Sequence, residues 1–175
     1  MRISRHSGPD RLNLLLSYGG WRDEAAVLQA PRLLEPLGIC TMEAGTCEEA
    51  EDLIRTRPIH IAVVDLEIPL RAAGPMQPSG LRILQLLRRL DSPPPTIVVR
   101  PRQVSARDDV RGLLGSLRDG AFAVLDRPMR LEALLDTLHR ALRRHYKDLW
   151  PTDAQPGLNT RNPLDTQGHG RQQGE

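Results

Sequence analysis

The chain has 175 residues, 39% of them hydrophobic and 3% aromatic, with a formal net charge of +2 and a mean hydropathy of -0.39. That length suits one domain with a real core plus some excess chain. Hydropathy this low leaves no stretch apolar enough to span a bilayer, and so small a charge gives no argument for nucleic acid as a partner.

Residues 1–10 are charged, lack the apolar centre of a signal peptide, and read as a disordered lead-in. Leu12 to Leu16 is a short apolar run ending at Ser17-Tyr18-Gly19-Gly20, which predicts a strand and then a loop. From Arg22 to Leu37 the spacing of Ala26, Val27, Leu33, Leu34 and Leu37 predicts a helix, kinked or late-starting because of Pro31 and Pro36. Gly38 closes it, and Ile39 to Met42 predicts a second strand. Thr46 followed by Glu49 has the spacing of a capping box, opening a helix to about Arg57 that buries Ala50, Leu53 and Ile54.

Ile61-Ala62-Val63-Val64 is an unbroken apolar run, the pattern of a strand buried on both faces of a parallel sheet. It ends on Asp65, where open α/β sheets collect their ligands; Asp65 could equally cap a turn. Pro69 stops regular structure. A loop follows to Ser79, which can cap a third helix carrying Leu81, Ile83, Leu84, Leu86, Leu87 and Leu90. Thr96 to Val99 predicts a fourth strand ended by Arg100-Pro101, and residues 105 to 118 a weaker helix broken by Gly112 and Gly115. Gly120 to Leu125 predicts a fifth strand, followed by Asp126-Arg127-Pro128 and a last helix over about 131 to 149. Residues 149–175 read as a polar, disordered tail, leaving one domain over 11–148. Strands alternating with helices predict an α/β fold, a doubly wound parallel sheet under right-handed crossovers.

Cys40 and Cys47, the only cysteines, have no CxxC partner, so a reduced cytoplasmic compartment is expected and both read as packing or surface residues. The five histidines are scattered without metal-ligand spacing, and no GxSxG, P-loop or GxGxxG segment is present. Of the 24 basic residues Lys147 is the only lysine.

Four segments carry a resemblance to the receiver domains of two-component response regulators, the CheY-like superfamily, over roughly Leu12 to His145. Gly38 to Ala44 with Glu48-Glu49-Ala50 looks like that family's second strand and helix. Val63-Val64-Asp65-Leu66-Glu67-Ile68-Pro69 is similar to its phosphoacceptor segment, and Gly80-Leu81 resembles the opening of its third helix. Gly120-Ala121 through Arg127-Pro128 looks like its fifth strand and Lys-Pro ending. The resemblance implies a five-stranded parallel sheet of order 2-1-3-4-5, a flavodoxin/CheY-like three-layer sandwich with its site at the carboxyl edge.

In that family an acidic pair joins the phosphoacceptor in holding Mg²⁺; the matching positions here are Ser17 and Tyr18, which leaves Asp65, the Glu67 carbonyl and water. Asp23 or Glu24 could reach back from the first loop. Arg100 stands where the family has a Thr or Ser, Arg127 where it has an invariant lysine, and Val124 where it has a rotating aromatic. Arg100 and Arg127 could flank Asp65 and replace the missing cation. The expectation is a degenerate receiver, a signalling protein and not an enzyme, with no metal or cofactor of its own. It would act through protein contacts on the fourth helix, fifth strand and fifth helix, a face also suited to a homodimer. No output module is expected from residues 151–175.

Pro69 and Gly80 are eleven positions apart, longer than the family's usual spacing, so residues 70–78 are an insertion beside the site: a tolerated loop, or a lid or docking loop with Met76 as an adaptable contact. The basic end of the last helix, Arg140, Arg143, Arg144, His145 and Lys147, suits the helix dipole. Val124, Met76 and Arg143 are the side chains expected to touch a partner. Two alternatives are a working phospho-receiver that uses Asp65 with Mg²⁺ and, from another class, a flavodoxin-like cofactor-binding protein with Ser17 and Gly19-Gly20 near its phosphate.

Overall fold

The computed structural model describes residues 12–19, 25–73, 77–101, 115–118 and 120–146. The strands are β1 (Leu12–Ser17), β2 (Ile39–Ala44), β3 (Ile61–Asp65), β4 (Thr96–Arg100) and β5 (Ala123–Asp126). All pair in parallel, in the order β2-β1-β3-β4-β5 expected from the sequence. The helices are α1 (Ala25–Leu34), α2 (Cys47–Thr56), α3 (Gly80–Arg88), the helical residues 115–118 (α4) and α5 (Leu131–His145).

Strand side chains alternate between two cores, because successive residues of a strand point to opposite faces. Leu14, Leu16, Ile61 and Val63 pack with Val27, Leu134 and Leu138 under α1 and α5. Leu15, Ala62 and Val64 pack with Ile54, Ile83 and Leu87 under α2 and α3. Every residue of β3 is buried, which is why its sequence is apolar without alternation.

Local rules hold at most element ends. Pro31 lies inside α1, and the chain tightens into a 3₁₀ turn over Glu35–Leu37 before Gly38, at φ +80, ends it. Thr46 Oγ1 accepts the Glu49 N–H at 3.1 Å, while the Glu49 carboxylate takes the N–H of Gly45 at 2.7 Å. The next donors of α2, the amides of Cys47 and Glu48, give their hydrogens to the carbonyls of Pro69 and Leu70 at 2.8 and 3.3 Å. Arg71 adds an ion pair to Glu48 at 2.5 Å. The start of the insertion is therefore fastened to the first turn of α2, and Pro69 and Pro78 form an antiparallel bridge across its neck.

Three expectations need correction. Ser79 precedes α3 but does not cap it: its hydroxyl donates to the Gln77 carbonyl at 3.0 Å, inside the closed neck of the insertion. The fifth strand starts at Ala123 rather than Gly120. Gly120, at φ +88, donates to the Leu117 carbonyl and Ala121 to that of Ser116, so both residues still serve the end of α4. The last helix ends at His145, and Tyr146 leaves the helical conformation. The lead-in 1–10, the tail 149–175, Asp23, Glu24, Met76 and most of the expected fourth helix lie outside the described residues.

At the amino edge of the sheet, His60 Nδ1 accepts the Asn13 N–H at 2.9 Å, and the Tyr146 hydroxyl donates to the His60 carbonyl at 2.6 Å. Burial holds the His60 imidazole below its ordinary value of 6.5. A depressed folded value means this stability is complete above 6.5 and is lost as pH falls through the lower folded value. Urea midpoints should therefore fall between neutral pH and about pH 5, and fall less in His60→Gln. Equal slopes in the two proteins would rule the contact out as the cause.

Candidate functional site

The site forms where β1, β3, β4 and β5 end. Asp65 closes β3 and is fully buried, so its carboxylate needs partners from the protein. It has them. Oδ1 accepts the Glu67 N–H at 3.0 Å, and Oδ2 accepts the Gly19 N–H at 2.5 Å. Arg127, carried just past β5, places Nη2 at 2.8 and 2.7 Å from the two oxygens. Its Nη1 reaches the Glu67 carboxylate at 3.2 Å, so one guanidinium holds two carboxylates. The Arg127–Pro128 peptide is cis.

Ser17 and Tyr18 take no part as acidic ligands. Ser17 is fully buried; its hydroxyl donates to the Val63 carbonyl at 3.1 Å and accepts the Asp65 N–H at 3.2 Å, stitching β1 to β3. Tyr18 sends its hydroxyl to Glu43 at 3.4 Å and its amide to the Ala44 carbonyl at 3.1 Å, both on β2. Gly19, read from the sequence as loop and, in the flavodoxin-like alternative, as part of a phosphate loop, is a central residue of the site. A Cβ there would lie 2.5 Å from the Glu67 carbonyl oxygen and the Ile68 Cα. The first loop therefore rests directly on the chain leaving β3.

The two arginines do different things. Arg127 clamps Asp65, whereas Arg100, buried at the end of β4, gives Nε to Asp126 at 2.6 Å, and its carbonyl accepts the Arg127 N–H at 3.0 Å. Arg100 thus fixes the chain that carries Arg127. Val124 is half-buried within β5, and Arg143 is exposed in the last turn of α5, at the opposite edge of the sheet.

A second buried carboxylate, Glu51, lies between α2 and α3. It pairs with Arg82 and, at 3.6 Å, with Arg55, and it accepts the Cys47 thiol at 3.6 Å. Burial, with the Glu51 charge beside it, pushes the Cys47 thiol up to about 11. A thiol so held is a packing residue and not a nucleophile. Cys40 is exposed.

The strand order, the crossovers and an aspartate at the end of the third strand define the receiver-domain fold, the CheY-like variant of the flavodoxin architecture. No protein-family model and no curated protein sequence matches this chain. Solved structures do match it. The signal receiver domain of a Luxo repressor protein from Vibrio parahaemolyticus superposes with a TM-score of 0.60 at 16% identity, covering 77% of this chain and 92% of that one. A CheY-like response regulator receiver domain protein from Methanospirillum hungatei JF-1 gives 0.58 at 23% identity, covering 79% and 98%. NtrX from Brucella abortus, solved in complex with ADP, gives 0.59 at 15% identity; 78% of this chain matches, and it spans 27% of that longer protein.

The fold family implies a divalent cation beside Asp65, and the described residues do not fit one. Mg²⁺ requires near-octahedral oxygen ligands at about 2.1 Å and carboxylate charge. Here both Asp65 oxygens accept N–H groups, the Ser17 hydroxyl is tied into the strands, and Gly19 covers the Glu67 carbonyl. Arg127 brings a positive charge to the carboxylate. Among the described residues no group of three or more His, Cys, Asp or Glu could hold a metal, and no helix is long and apolar enough to cross a membrane.

Proposed function

We propose that this chain is an atypical response regulator, a cytoplasmic pseudo-receiver that signals through protein contacts while its own phosphoacceptor position stays locked. The observation that carries the reading is the Arg127 clamp. A guanidinium bonded to both oxygens of Asp65, with two backbone N–H groups on the same carboxylate, leaves the nucleophile no approach to a phosphoryl donor. The partner face is the β5–α5 surface, where Leu125, Ala133, Asp136, Thr137, His139 and Arg140 line an open groove of about 590 Å³, and a homodimer through it is part of the proposal.

A second reading is a working phospho-receiver, favoured by the retention of Asp65 at the strand end. Incubation with acetyl phosphate and Mg²⁺, followed by intact-mass measurement, separates the two. The locked receiver gains no phosphoryl group; a gain that disappears in Asp65→Ala establishes the second reading. The flavin-binding alternative is disfavoured because the Gly19 N–H, which would have to face a phosphate, is given to Asp65.

A further inference from the structure

Apart from Arg140 in the middle of α5, the described arginines divide between the two edges of the sheet. At the carboxyl edge each described arginine has a carboxylate partner: Arg71 with Glu48, Arg82 with Glu51, Arg100 with Asp126, Arg127 with Asp65 and Glu67, and Arg130 with Glu132. The amino edge is the reverse. Every strand begins there, and each helix returns the chain to it, so the helix ends collect there. The Tyr146 hydroxyl on the His60 carbonyl, and the Arg88 side chain against Gly120, show these ends meeting.

Arg32 lies in the last turn of α1, Arg57 follows α2, and Arg88 and Arg89 close α3. Arg118 ends the described part of α4, while Arg143 and Arg144 stand in the last turn of α5. All seven are exposed, and none makes an ion pair among the described residues. Arg55 alone is paired, with Glu51 and Asp52. Among the described residues, the exposed carboxylates in the same turns, Glu35 and Asp91, are too few to balance them.

The helix dipole favours a cation in each last turn. It does not account for pairs of arginines at α3 and α5, nor for the mutual repulsion of so many like charges. Five strands make this edge about 20 Å wide, only about two screening lengths at 0.1 M salt. The charges therefore act as one patch.

Exposed leucines interrupt it: Leu33 and Leu37 beside Arg32, and Leu117 beside Arg118. The aromatics described, Tyr18, Phe122 and Tyr146, are half-buried, so none offers a stacking platform for bases. Among the described residues the edge is made of turns, with no helix or ribbon projecting to enter a groove. Guanidinium groups grip carboxylates in a bidentate fork, and leucines between them need an apolar counterpart.

We infer that the amino edge of the sheet is a docking surface for an acidic protein segment in which glutamates or aspartates alternate with leucine-like residues. This rests on the reading of the chain as a protein-contact module, but not on the locked state of Asp65. The test is fluorescence anisotropy of the full chain with a labelled peptide of interleaved glutamate and leucine, at low and high salt. Binding should weaken with salt, and weaken about tenfold or more when Arg57→Glu, Arg89→Glu and Arg143→Glu are combined. The neutral combination Arg57→Gln, Arg89→Gln and Arg143→Gln should lose less. Reversal at the other edge, Arg71→Glu with Arg130→Glu, should change affinity by less than about twofold. Binding retained in Asp65→Asn keeps the inference separate from the phosphorylation question. Failure to bind the peptide, equal loss from both edges, or tighter binding of a DNA duplex or an anionic vesicle would overturn it.

Discussion

An Arg127→Met protein should be less stable than the parent by about 3–5 kcal/mol, the usual cost of stranding one member of a buried ion pair. Asp65 is fully buried, and Arg127 is the cation that satisfies both of its oxygens. The Gly19 and Glu67 amides would remain, which sets the loss nearer the lower figure. One further measurement identifies the cause. Adding Asp65→Asn to Arg127→Met removes the stranded charge and should return most of the loss. A urea midpoint within about 1 kcal/mol of the parent would show that the pair contributes only as much as an exposed one.

Gly80→Ala should cost about 2–3 kcal/mol, in the upper part of the range for overpacking. A Cβ at Gly80 would sit 2.2 Å from the Asp65 carbonyl oxygen and 2.5 Å from the Leu66 Cα. Both neighbours are backbone, so neither can swing aside. The Gly80 amide also donates to the Leu66 carbonyl at 3.3 Å, which pins the start of α3 to the chain leaving β3. The added methyl must therefore move α3 or the Asp65 loop as a whole. Gly115→Ala is the control, since a Cβ there meets nothing within 4 Å. Equal midpoints for the two variants would refute the close-approach argument.

The architecture was legible because it is written in short-range signals. The apolar run Ile61 to Val64 announces a doubly covered strand, Thr46 and Glu49 announce a helix start, and Gly38 announces a helix end. The site was legible as a place and less so as an arrangement. Asp65 follows from its position at a strand end, but its partners Gly19 and Arg127 stand 46 and 62 residues away. Gly19 could have been singled out only from the Gly19-Gly20 pair directly after a buried strand. Which arginine would reach Asp65 depends on how β5 ends, and the start of β5 was itself hidden by two residues that still serve the preceding helix. Ser79 misled for a related reason: a good cap residue was already engaged in the neck of a loop, its hydroxyl on the Gln77 carbonyl and its amide on that of Ile68.

The bonds from Cys47 and Glu48 to the Pro69 and Leu70 carbonyls have a mechanical consequence. Four and five residues beyond Asp65, the backbone supplies acceptors that α2 cannot furnish for itself. Any displacement of that hairpin-necked excursion deprives the helix of its terminal partners, and any unwinding of the helix releases the excursion. The two segments are geared together, so a protein that seized α2 would be holding the aspartate's own backbone.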